Sequence, residues 1–231
     1  MDINKYKNNG IGLSKNCFEM IYTILEHCVT NRLQQNIRIL EFGSGFSTRF
    51  FVDYVLHSNK KIYIDSFDND IKYSYKNTNN YDFITINVLP LVSCSEHNFN
   101  LLFDQEKKYN KEYFSLHVSV PINHSKYWRQ KNCFYNITDE LENKLYDVVL
   151  IDGPNGNGRN IAYLHMLNKL NKNAYIIIDD YNSTDNEFNY NFIRYLQDLF
   201  NVKEIYTHTY TSKNENDEWE HGGNFAIYQL Q

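Results

Sequence analysis

A chain of 231 residues with 42% hydrophobic and 22% charged side chains is long enough for one substantial core and short for two independent ones. A net charge of −5 argues against a general grip on nucleic acid, which needs a basic surface to displace counterions. No apolar run approaches the roughly 20 residues of a membrane span, residues 1–15 lack the apolar stretch of a signal peptide, and the four cysteines form no C-x-x-C pair, so a soluble, cytoplasmic, single-domain protein (1–231) is expected.

In chain order, residues 1–35 form an N-terminal helix region. Ser14 is the expected N-cap, and Phe18, Ile21, Leu25 and Cys28 recur at helical spacing over 14–33, with Cys17 and Cys28 sharing a buried face. A β-branched run at 37–42 predicts a strand that ends in a glycine turn, with a helix over 47–57 behind it. Residues 61–67 alternate as a second strand ending in Asp68-Asn69-Asp70, followed by another helical stretch, and 81–88 reads as a third strand. Residues 90–140 have no clean period and predict a substrate-shaping insertion with one or two further strands. Beyond it, 146–152 and 174–180 are apolar runs suited to burial on both faces, separated by a helix over 158–170. A helix at 188–200 and strands at 202–206 and 225–230 close the series. Strands alternating with helices in this way predict a parallel sheet covered on both faces, with ligands bound beyond the carboxyl ends of the strands.

The residues that can carry chemistry fall at those ends. Gly43 and Gly45 lie between a strand and a helix, where glycine permits a tight turn and close approach of a nucleotide. A dinucleotide fingerprint would place a third glycine at 48, which is Thr48, and this lowers the case for NAD. Asp68, at the end of the next strand, can accept both ribose hydroxyls of an adenosine group. The run Glu41-Phe42-Gly43-Ser44-Gly45-Phe46-Ser47-Thr48 followed by Asp68 resembles the cofactor half of class I S-adenosylmethionine-dependent methyltransferases. The resemblance implies a Rossmann-like, doubly wound, mostly parallel seven-stranded sheet with the insertion after its third strand. It also implies that Glu41, Gly43, Ser44, Gly45, Ser47, Thr48 and Asp68 form the S-adenosylmethionine site.

Asp152, Asp179 and Asp180 end two neighbouring strands, and like charges in a poorly solvated cleft repel. A hard divalent cation, Mg²⁺ or Mn²⁺, would relieve them and could lower the pKa of an acceptor hydroxyl. The arrangement is similar to metal-dependent O-methyltransferases, which implies Asp152, Asp179 and Asp180 as metal ligands, although Asn155 stands where some of them carry a lysine base. Asp152, His221 and His124 are therefore the candidates for moving the proton. Tyr127 and Trp128 can stack on a sugar face, and Arg159 can pair with a substrate anion. The segment 147–154 with Gly158-Arg159, and 222–228, resemble glucuronoxylan O-methyltransferases and related polysaccharide-modifying proteins. That implies O-methylation of a sugar hydroxyl in a glycan or nucleotide-sugar, with a small-molecule or glycan partner, no nucleic acid and no membrane. Homo-oligomerisation stays open, as do a phenolic acceptor and a catalytically silent Rossmann-like subunit.

Overall fold

The computed structural model describes residues 1–6, 13–31, 36–58, 60–103, 118–120, 131–181, 193–208 and 224–231, with 118–120 as backbone alone. Helix α1 (Lys15–Asn31) buries Cys17, Phe18, Ile21, Ile24, Leu25 and Cys28, and Ser14 caps it by accepting the Cys17 N–H at 3.1 Å. Strand β1 (Ile37–Phe42), helix α2 (Phe46–Ser58) and strand β2 (Ile62–Asp68) follow as expected.

No helix follows Asp70. Residues 71–83 are turns, because short polar side chains capture the backbone: Asp70 Oδ1 accepts the Lys72 N–H at 2.8 Å, Asn77 Oδ1 accepts that of Tyr81 at 3.0 Å, and Asn80 is left-handed at φ 50°. Strand β3 (Ile84–Val88) is accordingly shorter than the strand expected over 81–88.

The insertion carries β4 (Leu91–Ser93), α3 (Glu96–Leu102), β5 (Val118–Val120) and β6 (Cys133–Tyr135), one strand more than expected, and the three strands form their own antiparallel sheet in the order β5-β4-β6. Strand β7 (Tyr146–Ile151) leads to a 3-10 turn (Asn157–Asn160) and a six-residue α4 (Ile161–Met166), where a longer helix was expected. Strand β8 (Leu170–Asp179), α5 (Ile193–Leu199), β9 (Val202–His208) and β10 (Phe225–Leu230) complete the chain.

The main sheet has seven strands in the order β3-β2-β1-β7-β8-β10-β9, parallel except for β10, which is antiparallel to both neighbours. Winding runs outward from β1 to β3, then returns to the centre at β7, so β1 and β7 flank the point where loops leave the sheet in opposite directions and a crevice opens. One face is covered by α1 and α2, the other by the insertion with α3, α4 and α5. Among the described residues no helix is long and apolar enough to cross a membrane.

Candidate functional site

The glycine turn is built against the end of β7. Gly43 has φ +102°, and a Cβ there would stand 2.7 Å from Gly153 N and 2.9 Å from the Asp152 carbonyl carbon, so only glycine fits. Phe67 O receives the N–H groups of Gly43 and Ser44 at 2.8 and 3.1 Å, and Phe42 O those of Asp152 and Gly153 at 2.8 and 2.7 Å. Thr48 Oγ1 accepts the Gly45 N–H at 2.8 Å. The turn's donors are therefore engaged inside the protein, unlike a phosphate cradle, which must keep them open. Among the described residues a Cβ on Gly45 would meet only Tyr73 O, at 3.7 Å, and that is the side from which a ligand can approach.

Under the turn lies Glu41, 0% exposed, whose Oε2 accepts the hydroxyls of Thr48 and Ser66, each at 2.5 Å, while Oε1 is buried with no partner. Burial pushes its carboxyl up to about 7, against the pull of the surrounding Ser47, Ser66 and Thr48 hydroxyls. Thr48 thus stands in the third-glycine position for a local reason: it bridges the acid to the turn. Ser44 Oγ accepts the Tyr75 N–H at 3.0 Å and fastens the loop after β2 beside the turn. Asp68 ends β2 at 8% exposure. Its Oδ1 accepts the Asp70 N–H at 2.7 Å, and burial raises its carboxyl to about 6.

Asp152 and Asp179 do meet at the ends of β7 and β8, and they share a hydrogen bond. Burial, then repulsion from Asp152 and Asp180, lifts Asp179 well above the carboxylate range, so the shared proton sits on Asp179; its Oδ1 is buried without a partner. Cys17, on the first turn of α1, lies close enough that both acids raise its thiol further, after burial.

The expected metal set does not form. Among the described residues no three His, Cys, Asp or Glu groups are placed to hold an ion. The physical reason is Arg159, which brings its own cation: Nη1 lies 2.9 Å from Asp180 Oδ2, Nη2 3.7 Å from Asp152 Oδ1, and Nε donates to Pro154 O at 2.8 Å. Arg159, expected to meet a substrate anion, is engaged here by the protein's own acids. At 4% exposure its guanidinium points inward, because the 3-10 turn at 157–160 directs it under the strand ends.

Tyr135 was missed. It ends β6 at 1% exposure, stacks on Phe42 at 6.3 Å and 17°, and sets its hydroxyl against Gly153 over the Gly43 seam. The one available signal was the apolar triplet Cys133-Phe134-Tyr135 in an otherwise aperiodic stretch. His124, Tyr127, Trp128 and His221 lie outside the described residues.

No family model and no curated protein sequence matches the chain. Among solved structures it is similar to the citrinin polyketide synthase CMeT domain, at 9% identity and TM-score 0.50 over 92% of this chain and 52% of that one, so it spans about half that chain's length. It is also similar to precorrin-6y C5,15-methyltransferase from Geobacter metallireducens, at 12% identity and TM-score 0.50 over 100% of this chain and 96% of that one. At such identities the likeness speaks for the fold alone, and the fold is Rossmann-like: a mostly parallel seven-stranded α/β sheet with helices on both faces.

Proposed function

We propose that the chain is an S-adenosylmethionine-dependent methyltransferase that acts on a hydroxyl oxygen without a metal ion. The observation that carries it is the pairing of Asp68 with a glycine turn whose N–H groups are already engaged, at the crevice between β1 and β7. Such a turn suits an uncharged or zwitterionic nucleoside and fails a pyrophosphate. Asp68 would hold the ribose hydroxyls, and Glu41, whose Oε1 is buried and unpartnered, would face the amino-acid end.

Bound there, the cofactor supplies a methyl group activated by its sulfonium. Asp152, with 23% of its side chain exposed, stands at the end of β7 and would accept the proton of an acceptor hydroxyl held beside it. Burial raises the Asp152 carboxyl, and Arg159 and the hydrogen bond from Asp179 oppose that rise. A sugar hydroxyl is the acceptor we favour, on the strength of the sequence resemblance carried by residues 147–154 and 222–228; His124 and His221 stay alternatives for the proton.

Calorimetry tests the core of this. Micromolar binding of S-adenosylmethionine or S-adenosylhomocysteine is expected, and no binding by either sinks the enzyme reading in favour of the silent subunit. A chelator is expected to leave binding and transfer unchanged; loss of transfer, restored by Mg²⁺, overturns the metal-free form. Because the ribose needs Asp68 ionised, affinity is expected to hold above pH 7 and to fall about tenfold per pH unit below about 6, the Asp68 value. Asp68→Asn should weaken binding and flatten that profile; a profile identical to the parent's would remove Asp68 from the site.

A further inference from the structure

We propose that the Tyr135 hydroxyl, carried in by the insertion, is the hydrogen-bond donor for the carboxylate of the cofactor's amino-acid end. The inference rests on the methyltransferase reading and adds a residue to its site.

The case starts from an imbalance. A zwitterionic amino-acid group entering the crevice meets Glu41, Asp68 and Asp152. These acids suit its ammonium and repel its carboxylate. Several nearby donors are occupied: Gly43, Ser44 and Gly45 N–H by Phe67 O and Thr48, Asp152 and Gly153 N–H by Phe42 O, and the guanidinium of Arg159 by Asp152, Asp180 and Pro154 O. A carboxylate taken out of water with no donor costs several kcal/mol.

Tyr135 supplies what the turn does not. Its phenol feels Asp68, Arg159, Asp152 and Glu41 together, which places it among all the strand-end charges. Burial, then the negative charge of Asp68, keeps it protonated far above neutral pH, so it remains a donor. Its hydroxyl makes no hydrogen bond among the described residues. Packing gives no reason for the oxygen. Phe42, Phe67 and Phe134 fill the same aromatic cluster as bare rings, and a phenylalanine at 135 would stack on Phe42 equally well. A buried phenol normally has a partner, and this one stands beside Gly153, just past the end of β7.

The experiment is a two-ligand cycle by calorimetry, with S-adenosylmethionine and its decarboxylated analogue, which lacks only the carboxylate, against the parent and Tyr135→Phe. The parent is expected to prefer the carboxylate form. Tyr135→Phe should weaken that form about tenfold to hundredfold, the range for a hydrogen bond to a charged group, and leave the analogue within about twofold. Equal losses on both ligands, or none on either, overturn the proposal, and so does a parent that binds the two alike, whatever the variant's folding. A parent that binds neither ligand overturns the methyltransferase reading itself, so the two failures are distinguishable.

Discussion

Gly158→Ala is expected to cost roughly 3 kcal/mol or more of stability and to lower the melting temperature by about 6–12 °C for a chain of this length. The three atoms nearest to a Cβ at 158 are the backbone O, C and N of Cys133, and the Cβ would overlap that carbonyl. Neither side can step aside by changing a rotamer, because both are main chain. The seam is held on either side by Asn157, which accepts the Asn132 N–H at 2.7 Å and donates from Nδ2 to Asn132 Oδ1 at 2.6 Å. Relief would require β6 to back away from the 3-10 turn, and β6 carries Phe134 and Tyr135 into the core beneath the site. Cofactor affinity should therefore fall together with the melting point. A variant that melts within about 2 °C of the parent would show that β6 does not sit at backbone contact with this turn.

Arg159→Met is the second large effect, and its size should depend on pH. The substitution keeps most of the aliphatic volume and removes the cation shared by Asp152 and Asp180. Breaking a buried pair costs about 3–5 kcal/mol when the partner is left charged; partial exposure of both acids, 23% and 37% at the side chain, lets water offset some of this, so about 3 kcal/mol is expected near pH 8. Protonating the orphaned carboxylates removes much of the penalty, so the gap from the parent should narrow towards pH 5.

The parent should already slope the same way. Glu41, Asp152 and Asp179 all have folded values above those of the unfolded chain, so the folded protein binds more protons in the window above about 4.5, and stability falls as pH rises through it, for Glu41 up to about 7. For fully buried Glu41 alone this amounts to roughly 3 kcal/mol between pH 4.5 and 7. Melting curves of both proteins at pH 5.5 and 8 check this, and an equal gap at the two values would mean that Arg159 stabilises by packing rather than by charge.

The parts of the candidate site that are legible in the sequence share one property: they sit where an apolar strand run gives way to a turn. Glu41, Gly43, Asp68, Asp152 and Asp179 follow such runs by at most one or two residues, so strand position and site position are the same information. What failed depended on contacts far away in sequence or on competition within a turn. The ion pairs of Arg159 have no local signature, because nothing nearby in the sequence says that residues 157–160 tighten into a 3-10 turn and swing it beneath Asp152 and Asp180. Tyr135 was invisible for the same reason, since its place depends on β6 docking through Gly158. The helix expected after Asp70 lost to Asp70 and Asn77, whose side chains bond the backbone that a helix would have used.

The pairing of β1 with β7 has a consequence for how the protein is made. Ile39 lies opposite Val148 and Phe42 opposite Ile151, more than one hundred residues later in the chain. At roughly 5–20 residues per second, a ribosome needs on the order of 5–20 s to deliver that partner after β1 has emerged. For that interval the nascent strand Ile37-Arg38-Ile39-Leu40-Glu41-Phe42 offers β2 one edge and leaves the other open to neighbouring chains. Arg38 and Glu41 are the two charges in it, and charge on an open strand disfavours edge-to-edge pairing. Glu41 thus has a task before there is any site for it to serve.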